Sequence, residues 1–367
     1  MKMYIGLNVH SKFSVYVTQN GRGKTIHSDR IATNPKGLAH MIHCLHAPEG
    51  TPVAMETGPM ATWVSRQLVA QKMKPVVIDA REVRVKALRP HQKSDLRDAR
   101  ELCEGLRRGV YQSIVYIPDE SIEPLRLLIS PRRHFVGIFT RQINAAKHLL
   151  RLRGQGGRVK ALTHEKAWRS LLEDPKIADR RTMLEMHFDL WHQAQSAKRK
   201  IEAELLQAAR PHQQVIDLLR TVPGVGPITA ITFIATLGDR RRFPNSGHVV
   251  SYAGLAVSTY DSGERQRHGH ITKRGSAEPR AMLCEAAQHA WRSTNPMNPY
   301  YRRVAAKKGH KQAIIAVAQR LAPILWRMWL NQEPLNIEKL NIARVDRRQT
   351  RVVHYELRNR PVVAAHC

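Results

Sequence analysis

Three fragments within the first hundred residues carry side chains that can bind metal, each at the predicted end of a strand or start of a helix. They are GLNVH at residues 6–10, METG at 55–58 and KSDLRDAR at 93–100. They supply Asn8 (the amide counterpart of an aspartate), Glu56, Asp95 and Asp98. Carboxylates gathered in a chain rich in Lys and Arg are typical of a site that holds a divalent metal against a phosphodiester.

The spacing of these residues predicts that they share one site. Asp95 and Asp98 are three residues apart, so they lie on one face of a helix. Like charges held this close repel unless a cation neutralises them, and hard oxygen ligands suit Mg²⁺ or Mn²⁺. A simpler interpretation is that Asp95 favours the N-terminal end of the helix dipole and Asp98 pairs with an arginine. Glu56, at the end of a buried strand, favours the metal site over that interpretation.

A second candidate for chemistry is Ser262, in the fragment YDSG at residues 260–263. Serine attacks poorly without activation. Here it is predicted to lie in a polar loop followed by cations that would stabilise a phosphorane and a leaving oxygen. These cations, which also predict nucleic-acid contacts, are Arg265, Arg267, Lys273 and Arg274. The residues alone favour the alternative, a Ser-Gly turn in a basic loop that contacts DNA.

The elements that must position these residues alternate between strand and helix over residues 1–115. Apolar and alternating segments predict strands at 3–7, 13–18, 25–28, 52–56 and 75–79, and helices at 35–45, 63–71 and 95–107. Ser94 is the predicted N-cap of the last helix. An antiparallel meander followed by crossovers predicts an α/β domain with a mixed sheet, in the element order of the ribonuclease-H-like nucleases.

The rest of the chain is predicted to be mostly helical. Residues 116–215 form a helical or coiled-coil linker, in which a 3–4 spacing of apolar residues from Met183 to Leu205 favours a helical hairpin and dimerisation. Residues 216–330 form a C-terminal domain. Its segment TVPGVGPITA at 221–230 matches a helix-hairpin-helix, in which Gly224 and Gly226 let backbone N–H groups approach a phosphate. An ordinary glycine-rich turn is the alternative. Residues 331–367 form a basic tail.

Composition points to a polyanionic partner. The chain has 60 Lys and Arg against 30 Asp and Glu, a net charge of +30. Nucleic acid would neutralise this charge and release counterions. We expect no membrane partner. The four cysteines are scattered, which predicts free thiols in a reducing cytoplasm. The 19 histidines show no metal-ligand spacing, and His10 is expected to be structural.

The combination of fragments is similar to the DEDD transposases of the "insertion sequence one-ten" family, including its eleven-eleven branch. The resemblance rests on YIGLNV at 4–9, METG at 55–58, KSD with DAR at 93–100, PGVGP at 223–227, YAGL at 252–255 and YDSG at 260–263. It runs from the first strand to about Arg292.

The resemblance implies a RuvC-type N-terminal domain, a coiled-coil middle and a C-terminal transposase domain. It implies that Glu56, Asp95 and Asp98 bind Mg²⁺ and that Ser262 is the nucleophile that forms a phosphoserine link to DNA. It also implies a bridge RNA that guides the protein to donor and target DNA. Ser262 of one subunit would work with the acidic cluster of another, in dimers that form a tetramer on DNA at the bacterial nucleoid.

This chain departs from that family at Asn8, where the motif has Asp; an amide still offers a neutral oxygen to a metal. Two alternatives to an RNA-guided recombinase stay open, and Asn8 suggests the second of them. One is a metal-dependent, structure-specific nuclease of the junction-resolvase kind, in which water attacks. The other is a catalytically impaired nucleic-acid-binding protein.

Overall fold

A computed structural model describes residues 2–86, 94–155, 162–262 and 265–337, without the side chains of residues 259–268. The chain divides into two compact units, Met1–Pro118 and Asp119–Cys367. We refer to them as unit 1 and unit 2. The finer division at residues 115, 215 and 330 stays a prediction.

Unit 1 is built on a five-stranded mixed sheet with the order β3-β2-β1-β4-β5. β1 pairs antiparallel with β2, and β2 with β3, whereas β1, β4 and β5 run parallel. The elements are β1 (Met3–Val9), β2 (Phe13–Asn20), β3 (Thr25–Ala32), α1 (Pro35–Cys44), β4 (Pro52–Glu56), α2 (Ala61–Ala70), β5 (Lys74–Ile78), α3 (Ala80–Lys86) and α4 (Asp95–Arg108). This is the predicted ribonuclease-H-like arrangement, and the fold class is confirmed.

The two faces of this sheet bury different sets of side chains. Ile5, Leu7 and Val53 belong to a core with α1 and α2, whereas Ala54 and Ile78 meet Leu102 of α4. The central strands β1 and β4 are buried on both faces because helices cover both, which explains their mainly apolar sequences, whereas the edge strand β3 is mostly exposed. Ser94 caps α4 as predicted, because its hydroxyl accepts a hydrogen bond from the Arg97 N–H.

The described residues of unit 2 form helices and one two-stranded hairpin. Its elements are α5 (Glu123–Arg151), α6 (Glu165–Leu172), α7 (Arg181–Ala208), α8 (Gln213–Arg220), α9 (Pro227–Leu237), α10 (Ser246–Tyr252), β6 (Val257–Ser262), β7 (Arg265–Ile271), α11 (Ala277–Ala287), α12 (Asn298–Lys308) and α13 (His310–Asn331). Helix α9, which has no charged residue, lies in a core built from α8, α11 and α13. α13 is long and apolar enough to cross a membrane. Its buried residues, Leu321, Leu325 and Trp329 among them, identify it as a core helix of this unit.

The long helices α5 and α7 pack along each other as the predicted hairpin. The face that α7 buries differs from the predicted one. Leu184, Trp191, Ala194 and Leu205 are buried, whereas Met183, Met186 and Leu190 are exposed. The row of apolar residues predicted from Met183 to Leu205 is therefore exposed to solvent at its start and buried against neighbouring helices further along. Leu184 and Trp191, which are outside the predicted row, take the buried positions early in α7, whereas Ala194 and Leu205 of that row take them further along.

Candidate metal centre and nucleic-acid interface

The position of α4 on the sheet is set by close contact with Gly6 of β1. A Cβ atom at residue 6 would lie 2.0 Å from the carbonyl oxygen of Ala99 and 2.4 Å from the backbone nitrogen of Cys103. The Cys103 thiol donates a hydrogen bond to the Tyr4 carbonyl at 3.2 Å. The helix therefore runs antiparallel to β1 with backbone against backbone. Its first turn, which begins at Asp95, lies over the carboxyl end of the strand.

The strand register brings Glu56 to the same place. Ile5 pairs with Val53 and Gly6 with Ala54, so two residues further along each strand Asn8 is level with Glu56. Side chains alternate along a strand, so Asn8 and Glu56 point to the same face as Gly6, which is the face that α4 covers. The carboxyl ends of β1 and β4 and the first turn of α4 therefore converge.

Contacts measured at this convergence join residues that are far apart in sequence. The Asn8 amide nitrogen donates to Asp95 Oδ1 at 3.5 Å. His10 Nε2 lies 3.2 Å from the same Asp95 oxygen and 3.2 Å from Asn8 Nδ2. All three side chains are partly exposed, so ligands from solvent have access. The sequence predicts a structural role for His10 because it lies in a turn after a strand. In the structure its ring contacts Asn8 and Asp95, two residues of the predicted metal site.

A further acidic residue of this face, Glu101, is absent from the set predicted from the sequence. It lies one helical turn beyond Asp98, and burial together with the Asp98 charge raises the pKa of its carboxyl group. Tyr111 donates its hydroxyl hydrogen to the Glu101 carbonyl at 3.1 Å. Burial raises the pKa of Tyr111 to about 12, and the charges of Glu101 and Glu56 add to the shift. A sequence signal for Glu101 exists, because it continues the spacing that begins at Asp95 and Asp98.

The donor set suits a hard divalent cation. Asn8, Glu56, Asp95 and Asp98 offer oxygen atoms at one edge of the sheet, and Mg²⁺ and Mn²⁺ prefer such ligands. Within the described residues, no three His, Cys, Asp or Glu side chains are already arranged to hold a metal ion. The close contacts at this site involve one amide, one imidazole and one carboxylate. These residues fit a metal that is also held by the phosphate of a bound nucleic acid, because Mg²⁺ is usually bound by only one or two carboxylates together with phosphates and water.

The predicted nucleophile lies in unit 2. Ser262 is the last residue of β6 rather than part of a loop, and its backbone pairs with Arg265 at the start of β7. It therefore lies at the turn of a two-stranded hairpin. The side chains of Ser262, Arg265 and Arg267 lie outside the described residues. At the base of the hairpin, Lys273 and Arg274 are exposed, and Lys273 has a left-handed backbone (φ 52°).

The segment predicted to be a helix-hairpin-helix joins α8 to α9, and its two glycines have different surroundings. Gly224 has φ 97°, and a Cβ atom there would lie 2.5 Å from the Ala286 carbonyl of α11. Gly224 therefore allows tight packing. Gly226 is the N-cap of α9, with no side-chain cap, and a Cβ atom added to it would meet no atom within 4 Å. Open space therefore lies beside Gly226 at the N-terminus of α9, where the first N–H that could meet a phosphate is that of Ile228, because Pro227 has none.

Comparison with known proteins gives matches in both units. Residues 5–153 match a transposase family model of the IS110 DEDD type, and residues 216–302 match the model described as "Transposase IS116/IS110/IS902 family". The two matches include Asn8, Glu56, Asp95, Asp98 and Ser262. The chain belongs to the IS110 family of transposases. The match to a transposase model of the DEDD type indicates that this protein depends on a divalent metal.

Individual relatives of this transposase agree with that assignment. It is 23% identical to a protein of insertion element IS116 from Streptomyces clavuligerus, over 89% of this chain and 94% of that protein. It is 26% identical to a putative transposase, y4qE, from Sinorhizobium fredii, over 88% of this chain and 87% of the relative. It is also 30% identical to a pilin gene-inverting protein from Moraxella lacunata, over 33% of this chain and 38% of the relative.

The transposase carries a further basic surface that the sequence motifs do not identify. No acidic residue occurs between Glu285 and Glu333. Within this stretch, α12 ends and α13 begins around Gly309, and the exposed cations there have no carboxylate partner among the described residues. We call this surface the α12–α13 corner; its residues are Arg302, Lys307, Lys308 and Lys311. Unpaired cations concentrated at one place are typical of contacts with a phosphate backbone.

Proposed function

We propose that this IS110-family transposase cleaves, exchanges and rejoins DNA strands through a serine-linked intermediate, guided by a bridge RNA. The observation that carries the DNA-processing role is the convergence of Asn8, Glu56 and Asp95 at the ends of β1, β4 and the start of α4. The family supplies the reaction class. The relative that inverts pilin genes supports recombination rather than simple degradation.

In the proposed reaction the Ser262 hydroxyl attacks a phosphodiester. A bond forms between Ser262 Oγ and phosphorus while one P–O ester bond of the DNA breaks, and the leaving DNA oxygen takes up the proton that serine loses. The phosphoserine keeps the ester, so a DNA hydroxyl can attack it, restore a DNA strand and return the proton to Ser262. No external energy source is needed, because one ester replaces another.

Asn8, Glu56, Asp95 and Asp98 are proposed to hold Mg²⁺, or Mn²⁺, against the DNA phosphate. A metal bound there supplies Lewis-acid stabilisation of the charge that develops on phosphate oxygens. Cations on and near the hairpin, namely Arg265, Arg267, Lys273 and Arg274, contribute the same kind of stabilisation and bind the DNA backbone. Gly226 offers the α9 N-terminus to another phosphate, and the α12–α13 corner extends the contact surface.

The proposed partners are donor and target DNA, the bridge RNA and further copies of the chain, acting at the nucleoid in the bacterial cytoplasm. The net charge of +30 supports nucleic-acid partners, because it is neutralised when counterions on a polyanion are displaced. The exposed side chains of Met183, Met186 and Leu190 on α7 support dimerisation. They follow i, i+3, i+7 spacing on the side of the helix that α5 does not cover.

Trapping the covalent intermediate tests the serine mechanism. With labelled donor DNA, the native chain should give a protein–DNA adduct that survives denaturation, and Ser262→Ala should give neither adduct nor recombinant product. Ser258→Ala, in the same strand, is the matched control and should keep both. If Ser262→Ala cleaves DNA normally, attack by water takes the place of serine, and the protein acts as a metal-dependent nuclease.

A second experiment tests the acidic cluster. Asp95→Ala or Glu56→Ala should abolish cleavage and leave nucleic-acid affinity almost unchanged, because affinity comes from the many Lys and Arg side chains. Asp119→Ala provides a control at a carboxylate outside the cluster, where Asp119 accepts hydrogen bonds from Ser121 and Ile122. Equal loss of binding and cleavage in the Asp95 and Glu56 variants would mean that these carboxylates only support the fold.

A further inference from the structure

Three side-chain atoms at the carboxyl end of β1 form a nearly equilateral triangle. His10 Nε2 lies 3.2 Å from Asp95 Oδ1 and 3.2 Å from Asn8 Nδ2, and Asn8 Nδ2 lies 3.5 Å from Asp95 Oδ1. In an octahedral complex with metal–ligand distances of about 2.1 Å, neighbouring ligand atoms are about 3.0 Å apart. The triangle is thus close in size to one face of a coordination octahedron. Inward shifts of a few tenths of an ångström would complete that face.

The amide of Asn8 can present either of its two polar atoms at this triangle. Its nitrogen and oxygen exchange places when the amide group is rotated by half a turn. Facing Asp95 alone, the nitrogen is favoured because it donates to the carboxylate. Facing a cation, the oxygen is favoured, so the same side chain can serve as hydrogen-bond donor or as metal ligand.

The His10 ring is held in place by contacts that do not involve the acidic residues. The backbone N–H of His10 donates to the Phe13 carbonyl at 3.0 Å, which closes the turn between β1 and β2 and fixes the backbone that carries the ring. The His10 and Phe13 rings lie 4.9 Å apart, and the Arg30 guanidinium covers the Phe13 ring at 3.5 Å. The imidazole is therefore preorganised, which lowers the entropic cost of using it as a ligand.

We propose that His10 is a metal ligand in this protein, through Nε2, together with Asn8 Oδ1 and Asp95 Oδ1. This rests on the proposed function only for the presence of a divalent metal at the acidic cluster. An imidazole nitrogen favours transition metals, whereas Mg²⁺ prefers oxygen ligands. Because Asn8 is neutral, the set of ligands also has one negative charge fewer than with aspartate, which weakens the binding of Mg²⁺ further. The centre consequently prefers Mn²⁺ over Mg²⁺.

Electron paramagnetic resonance of Mn²⁺ bound to the full chain tests this ligand directly, without any measurement of activity. The electron spin-echo signal of bound Mn²⁺ should show nitrogen coupling that changes when histidine is labelled with ¹⁵N. The coupling should vanish in His10→Gln, whose amide can still reach Asp95 but has no imidazole nitrogen. It should persist in His27→Gln, a control in the same sheet where His27 contacts the Tyr16 hydroxyl at 3.0 Å.

Affinity measurements give a second readout. His10→Gln should bind Mn²⁺ at least about tenfold more weakly, which is the scale of the effect of losing a partner at a metal site. Its Mg²⁺ affinity should change less, so that the preference for Mn²⁺ shrinks. Unchanged nitrogen coupling or unchanged Mn²⁺ affinity in a folded His10→Gln protein overturns the proposal. The proposed function is judged separately, because Asp95→Ala must still abolish cleavage whatever the role of His10.

Discussion

Replacing Gly6 by alanine should damage both stability and catalysis, although Gly6 carries no functional group. The new Cβ atom would lie 2.0 Å from the Ala99 carbonyl oxygen, whereas an ordinary contact is at least 3.4 Å. The obstacle is helix backbone and not a flexible side chain, so α4 must retreat from β1 by about 1.4 Å. Overpacking of this kind costs roughly 3 kcal/mol.

The same retreat separates Asp95 from Asn8 and His10. Their contacts of 3.2–3.5 Å would be lost, and a misplacement of about 1 Å at an active site costs about 100-fold in rate. We therefore expect Gly6→Ala to lower the rate of strand cleavage by about that factor while DNA affinity changes little. A merely structural role for the cluster would instead lower activity only in proportion to the unfolded fraction.

Hydrogen exchange followed by mass spectrometry is the appropriate assay, since it reports on the elements of unit 1 separately from those of unit 2. Amides of β1 and α4 should exchange faster in Gly6→Ala than in the native chain, and those of α9 in unit 2 should not change. Gly58→Ala is the matched control, because no atom lies within 4 Å of its added Cβ. Equal protection of β1 and α4 in the two variants would refute the packing argument.

Three further predictions follow from other contacts. Asn8→Asp should place a carboxylate 3.5 Å from Asp95, so the melting temperature should fall without metal and recover as Mg²⁺ is added. Less Mg²⁺ should also be needed for half-maximal cleavage. A melting temperature that does not depend on metal would show that residue 8 is not part of the metal centre. Burial raises the pKa values of Cys103, from 9.0, and of Tyr111, from 10.0, to about 12. The folded state then holds protons that the unfolded state loses, so stability should decline from about pH 9 towards pH 12; urea titrations at pH 8 and pH 10.5 should show a smaller decline in Cys103→Ala, and an identical decline would show that this thiol does not contribute. Met186→Glu should disrupt dimers by placing a charge on the exposed apolar side of α7, whereas Glu185→Gln beside it should not, as sedimentation velocity would detect; an unchanged dimer fraction would assign dimerisation to another surface.

The sheet of unit 1 is closely predictable from the sequence because its signals are local. The strand Pro52–Glu56 has the bounds that the sequence predicts, since a short apolar run follows Gly50 and ends at a polar residue. Helix α4 is predictable from Ser94 onward, because N-capping depends on the hydroxyl and an N–H three residues later. The mixed-sheet topology follows from the order of these elements.

The features that the sequence does not reveal depend on contacts between distant residues. His10 and Asp95 are 85 positions apart, and no spacing rule links a residue after β1 with the first turn of α4. The buried positions of α7 depend on which of its apolar residues meet the neighbouring helices, and the spacing of those residues does not reveal this on its own. The place of Ser262 at the end of a strand follows from pairing with β7, because its polar neighbours favour a loop.

The hydrogen bond from Asn8 to Asp95 has a consequence for how a mobile element coexists with its host. An aspartate at position 8 would leave two repelling carboxylates that recruit any available divalent ion. The amide satisfies Asp95 from within the protein and so lets the chain rest folded without metal. A DNA phosphate that adds its own oxygen to the ligands would then favour metal binding at this centre. Such latency would protect the host chromosome from stray cleavage between transposition events.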